Sequence, residues 1–250
     1  TYLVREYGVR GLYFVDENFT LSPAWVEEFC DGLDRLGDHL PARLIWGCFT
    51  RIDTLEEKLL VQMKRSGLCQ VLVGVESGSD RVLAYYRKNY RQADILAAAA
   101  LLRRVGVPCV ASFIVGAPDE TREDVAQTEY AIRALKPAHL SVGILTPYPG
   151  SPLYERALRE NLFVHPDVPF AENWAHKSAR LPLLRTVLPP DELQGIARRL
   201  EQSARGPNRW VLLSSFFRHP GYLLRLLLVF RRPGARCRGV ALDFHAVLHF

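Results

Sequence analysis

The stretch Gln70-Val-Leu-Val-Gly-Val-Glu-Ser-Gly-Ser-Asp80 decides the fold. Gln70 to Val75 carries no charge and is dominated by β-branched and aliphatic side chains, the pattern of a strand buried on both faces of a parallel sheet. The run breaks at Glu76, and Ser79 and Asp80 then offer the short polar side chains that cap a helix start. Strand, polar rim, helix start is the unit that predicts the rest. Outward from it, apolar runs recur at Gly11–Val15, Leu44–Phe49, Val107–Val115 and His139–Leu145, each followed by polar residues.

Amphipathic helical patterns fill the intervals. Ser22 before Pro23 reads as an N-cap with proline at the first helical position. Thr54 with Glu57, and Thr121 with Asp124, read as capping boxes. Gly67 and Gly106 follow helices that end in basic residues. Repeated βα units fit two architectures, an open doubly wound sheet or a complete or partial (β/α) barrel, and both place their chemistry at the carboxyl ends of the strands.

Those ends carry Asp16-Glu17-Asn18, Thr50-Arg51-Ile52-Asp53, Glu76-Ser77-Gly78-Ser79-Asp80, Gly116-Ala-Pro-Asp-Glu120 and Thr146-Pro-Tyr-Pro-Gly150. Such groups suit a small polar ligand bearing amine and hydroxyl functions. For Ser79, Asp80 and Asp119 the competing reading is helix capping, whereas Glu76, directly after the buried run, reads as a ligand contact. GxGxxG and GxxxxGK[ST] are both absent, which argues against dinucleotide and P-loop phosphate binding. No histidine stands at these strand ends, which argues against histidine acid–base chemistry and a zinc hydrolase.

Hydrophobic residues at 48% and charged residues at 24% of 250 exclude wholesale disorder and fibrous designs. Five scattered cysteines read as reduced thiols in a cytoplasmic protein and form no CxxC pair. The net charge of +5 is uneven: Gly195 to Arg238 holds ten arginines against Glu201, about +9, leaving about −4 elsewhere. That division is not a nucleic-acid-binding footprint, so no nucleic-acid partner is expected.

Taken together, Gly11-Leu-Tyr-Phe-Val-Asp-Glu-Asn-Phe-Thr20, Trp46-Gly-Cys-Phe-Thr-Arg-Ile-Asp53, Val73-Gly-Val-Glu-Ser-Gly-Ser-Asp80, Phe113-Ile-Val-Gly-Ala-Pro-Asp-Glu-Thr121 and Thr146-Pro-Tyr-Pro-Gly-Ser-Pro-Leu-Tyr154 resemble the successive strand-end motifs of radical S-adenosylmethionine (SAM) enzymes. The likeness covers about residues 1–160 and is greatest to the class that often carries a cobalamin-binding domain ahead of the barrel. It implies a partial parallel (β/α) barrel, a [4Fe-4S] cluster held by a CxxxCxxC loop after the family's first strand, and SAM chelated to that cluster. It also implies reductive cleavage of SAM to a 5′-deoxyadenosyl radical, an electron donor such as a flavodoxin or ferredoxin, a small-molecule substrate, and cobalamin as a further cofactor.

Carried over by position, Asp16, Glu17 and Asn18 fall where the family binds the methionine amino group, although the commoner Gly-Gly-Glu form is replaced. Glu76, with Ser77 beside it, would reach the ribose hydroxyls or the methionine end. Lys88 falls where a cation meets the methionine carboxylate, with Arg51 as its rival, and either could instead be a surface cation paired with a neighbouring acid. Ser112 falls at a further ribose contact, Ile114 to Gly116 would lie against adenine, and Tyr148 would close over adenine or substrate.

CxxxCxxC is absent, so no metal ligand is named in this chain. The expectation is that the first strand and cluster loop precede Thr1, and that the chain alone neither holds the cluster nor cleaves SAM. Two competing readings stay open: a cluster-free relative that binds SAM or a partner, and an unrelated βα-barrel lyase or aldolase using its strand-end acids. The barrel is assigned residues 1–165 and a mainly helical basic extension 166–250. Within these, helices are expected at Leu153–Glu160, after Pro189-Pro190, and at Arg209–Phe217 and Tyr222–Phe230. The last two fit either packing against the protein or peripheral contact with an anionic membrane surface.

Overall fold

The computed structural model describes residues 2–37, 44–164 and 182–204. After a short helix α1 (Tyr2–Tyr7), five strands form one sheet: β1 (Gly11–Phe14), β2 (Ile45–Thr50), β3 (Leu68–Glu76), β4 (Cys109–Val115) and β5 (His139–Ile144). Their order in the sheet is their order in the chain, and every neighbouring pair is parallel. Among the described residues the order never reverses, so they hold no doubly wound switch point. Right-handed crossovers that always step the same way lay their helices on one face of the sheet, the winding of a partial (β/α) barrel.

The helices are α2 (Pro23–Gly37), α3 (Glu57–Arg65), α4 (Asp80–Tyr85), α5 (Gln92–Val105), α6 (Arg122–Leu135), α7 (Pro152–Arg159) and α8 (Pro190–Ser203). Neighbours touch in sequence, α2 on α3, α3 on α5, α5 on α6 and α6 on α8. Among the described residues the helices cover one face, which corrects the expectation that the strands are buried on both. Along β3 and β4 burial alternates: Val71, Val73, Val75, Ala111, Phe113 and Val115 are sealed under helices. Leu72, Gly74, Glu76, Ser112 and Ile114 remain half-buried on the other face.

Helix starts follow local chemistry. The Thr121–Asp124 capping box forms as expected, each side chain bonding the other's backbone N–H. Gly106 closes α5 in the left-handed conformation at φ +72°. The Thr54–Glu57 box does not form: α3 begins at Glu57 with Glu56 as an N-cap that makes no side-chain bond. Thr54 lies in a 3₁₀ turn (Ile52–Thr54), and its hydroxyl is taken by Thr20 at 2.6 Å and the Asn18 amide oxygen at 3.2 Å. A tertiary partner thus displaces the local cap.

The helix expected after Pro189-Pro190 is α8, which packs on β5, β4 and α6. Leu193 and Leu200 are fully buried there, each burial being worth ~1.5–3 kcal/mol. The first compact unit accordingly runs from Thr1 to Ala204, and a division at residue 165 falls inside it. The stretches Arg209–Phe217 and Tyr222–Phe230 lie outside the described residues. Among the described residues no helix is long and apolar enough to cross a membrane.

Candidate functional site at the strand ends

The end of β3 departs from regular pairing. Gly74 is in register with Ser112, and the next paired residue is Glu76 opposite Phe113, so Val75 is passed over in a bulge. Glu76 takes φ +65°, in the left-handed region. A non-glycine residue there costs on the order of 1–3 kcal/mol and persists only where its surroundings enforce it. Its carboxylate swings back over Gly74: a Cβ at that glycine would stand 2.8 Å from Glu76 Oε1 and 3.8 Å from Ser112 Oγ. Glu76 and Ser112 therefore flank a backbone without a side chain, on the open face.

Lys88 Nζ donates to Glu76 Oε1 at 3.0 Å, with the two side chains 19% and 18% exposed. The pairing foreseen as an alternative for Lys88 is thus real, but its partner is the other leading site residue. A pair this sheltered is screened less than a surface bridge and must offset more desolvation. Tyr90, buried two residues further on, donates its hydroxyl to the Gly74 and Val75 carbonyls at 3.0 and 3.2 Å. The Arg51 guanidinium lies 6.0 Å above the Tyr90 ring and grips Asp53 through two bonds of 2.9 and 2.8 Å. That grip holds the Asp53 carboxyl below the usual carboxylate range. Sequence reading brought Glu76, Lys88 and Arg51 forward and missed Tyr90, whose signal was an aromatic inside a polar loop.

At the β1 end, Asn18 is tied down: its amide oxygen accepts from Thr20 and Thr54 hydroxyls, both at 3.2 Å, and Thr20 bonds Thr50 as well. Asp16 and Glu17 are exposed beside this anchored residue. Ile114 is half-buried on the face shared with Glu76 and Ser112, and Tyr148 is 54% exposed after β5.

Ser77 and Gly116 go elsewhere. Ser77 is buried, lies 3.1 Å from the Thr128 hydroxyl on α6, and accepts the Ser79 N–H. A Cβ at Gly116 would meet Ile144 and Leu193 at 3.4 Å, on the helix side, and its N–H is donated to Glu120. Neither was expected there, because the sheet side taken after a strand's last residue is invisible to periodicity.

That second polar cluster holds two acids that sequence reading gave no site role. Glu120 is 1% exposed, its Oε2 accepts from Gly116 and Ala117, and burial pushes its carboxyl up to about 7. Burial also works against the charge of Asp124. Bonds from Arg81, from Ser79 at 2.6 Å and from Thr121 at 2.7 and 2.8 Å outweigh it and hold the carboxyl down at about 2. Ser79 caps α4 as the capping reading has it, whereas Asp80, in the first turn of α4, accepts the Gln92 N–H of α5, and Asp119 caps no helix but pairs with Arg156.

The group gathered on the open face, the Glu76 carboxylate, the Ser112 hydroxyl and the Lys88 cation, fits the hydroxyl and carboxylate functions of SAM. The described cysteines do not fit an iron–sulfur cluster. Cys30, Cys48 and Cys109 are buried in the core, and burial raises the Cys48 and Cys109 thiols to about 12, far from the thiolates that iron needs. Among the described residues no three potential ligands gather at one point.

Comparison with known proteins bears on this arrangement. The Radical SAM superfamily matches residues 2–129, just over half the chain. An uncharacterized methyltransferase of Pyrococcus horikoshii is 28% identical over 226 residues, covering 88% of this chain and 46% of the relative. An anaerobic magnesium-protoporphyrin IX monomethyl ester cyclase of Cereibacter sphaeroides is 30% identical over 164 residues, covering 65% of this chain and 26% of the relative. The chain therefore spans less than half the length of either. Among solved structures, the radical S-adenosylmethionine methyltransferase TsrM from Kitasatospora setae, with cobalamin and an iron–sulfur cluster bound, superposes at TM-score 0.56 and 20% identity. The superposition covers 63% of this chain and 32% of that one, a likeness of fold.

Proposed function

Because this chain belongs to the radical SAM superfamily, we propose that its open strand-end face binds S-adenosylmethionine, with Glu76 and Lys88 as the charged anchors. The observation that carries this reading is the sheltered Glu76–Lys88 pair, set on a strained backbone beside Ser112. Strain retained next to half-buried charge is a mark of a functional site. Glu76 and Ser112 accept and donate toward the ribose hydroxyls. Lys88, with Arg51 near it, takes the methionine carboxylate, and Asp16 and Glu17 meet the methionine amine beside the anchored Asn18. Ile114 offers an apolar edge to adenine, and Tyr148 shields the ligand from water.

When bound to a full complement of cofactors, SAM supplies a one-electron cleavage chemistry that these residues only orient. The reading extends to a radical SAM reaction on a small molecule, with a reduced flavodoxin or ferredoxin as electron source and cobalamin as a further cofactor. Methyl transfer is supported by the names of the Pyrococcus relative and the Kitasatospora structure, and cyclisation by that of the Cereibacter relative. No step through the cluster or cobalamin is assigned to residues of this chain.

The test uses the full-length protein, loaded with its cluster under anaerobic conditions. Glu76→Ala is expected to weaken SAM binding about tenfold or more by calorimetry while leaving the cluster absorbance unchanged. An unchanged affinity removes Glu76 from the site and the proposal with it.

A further inference from the structure

Glu76 holds a backbone conformation that its residue type disfavours, so something must enforce it. The bulge leaves two consecutive carbonyls, those of Gly74 and Val75, at the point where the chain turns out of the sheet. Both are met by one group: the Tyr90 hydroxyl, at 3.0 and 3.2 Å. The Ser77 N–H adds a bond of 2.8 Å to the Val75 carbonyl, closing the turn around Glu76. Tyr90 is itself fixed, only 4% exposed, two residues before α5. The loop that carries it also carries Lys88, so one segment delivers both the ion partner of Glu76 and the donor that fixes the backbone before it. On its open side the ring lies beneath the Arg51 guanidinium, which Asp53 orients.

We propose that Tyr90 is a positioning residue for SAM binding: its hydroxyl locks the β3 bulge that aims the Glu76 carboxylate across Gly74, and its ring sets the place of Arg51. The proposal rests on the reading of this face as the SAM site. Tyr90 touches no ligand in it. It acts through Glu76 and Arg51, which makes its contribution separable from theirs.

The experiment is a double-mutant cycle in the full-length, cluster-loaded protein, combining Tyr90→Phe with Glu76→Gly. It reads SAM affinity by calorimetry and melting temperature with and without SAM. Glycine accepts the left-handed conformation freely, so it relieves the strain that the Tyr90 hydroxyl opposes. Tyr90→Phe alone is expected to weaken SAM binding about three- to tenfold, as the loss of one or two hydrogen bonds would. In the Glu76→Gly background it should leave the remaining affinity unchanged and lower the melting temperature by less than it does alone. Should Tyr90→Phe alone fail to fold, recovery of folding in the double variant supports the same role, and failure of both overturns it. SAM affinity within twofold of the parent, or equal melting losses in both backgrounds, also overturns it by reducing Tyr90 to packing. If Glu76→Gly leaves SAM affinity intact, the binding-site reading fails first and this one falls with it.

Discussion

Two polar clusters sit at the ends of β3 and β4, one on each side of the sheet, and they are built to opposite rules. On the helix side, Ser77, Ser79, Asp124 and Thr128 are buried and bonded mainly to one another. On the open side, Glu76, Lys88 and Ser112 are half-buried around a bare glycine, on a backbone under strain. The first arrangement closes α4 and α6 onto the sheet. The second leaves donors and acceptors where a ligand can use them. Polar residues of the same kinds, within four positions in the chain, serve packing in one case and recognition in the other.

The glycines on either side of the bulge give the sharpest way to break this comparison. A Cβ at Gly78 would stand 2.4 Å from the Gln127 carbonyl and 2.7 Å from Thr128 Cα, backbone that cannot yield. Gly78→Ala is expected to cost about 3 kcal/mol or more, read by urea denaturation. At Gly74 the nearest atom is the carboxylate of Glu76, the far end of a flexible side chain, so Gly74→Ala should cost only about 1 kcal/mol, through the disturbed Glu76–Lys88 pair. It should nonetheless weaken SAM binding by about tenfold, because it evicts the carboxylate. Equal stability losses at the two glycines would erase the distinction.

Protonation separates the two acids of the helix side. Burial raises the Glu120 carboxyl from the usual 4.5 to about 7, so the folded state resists its ionisation. Between those pH values the folded state binds the extra proton, and stability therefore falls as pH rises through the window, by on the order of 3 kcal/mol. Glu120→Gln should flatten that part of a stability–pH profile, and an unaltered slope would place the titration elsewhere. Asp124 has the opposite sign. Its carboxyl is lowered from 3.8 to about 2, so its contribution is present above pH 3.8 and is lost as pH falls through 2. Asp124→Asn should remove about 2 kcal/mol near neutral pH and little at pH 2.

The smallest expected change sharpens the open side. Ser112→Ala should alter stability by less than about 0.5 kcal/mol, since its hydroxyl serves the half-buried face, yet weaken SAM binding a few-fold. A stability loss matching that of Asp124→Asn would assign Ser112 to the framework.

Much of this is legible in the sequence. All five strands fall within two residues of the apolar runs, and the Thr121–Asp124 box and the Gly106 cap stand where local chemistry put them. Glu76 and Lys88 were singled out separately from residue type and from the resemblance. Their contact was not foreseen, because they stand twelve positions apart in the chain, across α4. Thr54 was misplaced for the same kind of reason: its preferred partner, Thr20, lies on another loop.

The sequence by itself determined which segments become strands and helices, and that their ends are polar, because periodicity, capping and turn chemistry act over a few residues. Only the tertiary structure decided which side of the sheet each polar end serves. A single left-handed residue, Glu76, redirects the chain so that its own carboxylate stays on the open face while Ser77 turns into the helix layer. Contacts from Tyr90 and Lys88 surround that turn, and they come from a loop that only folding brings within reach.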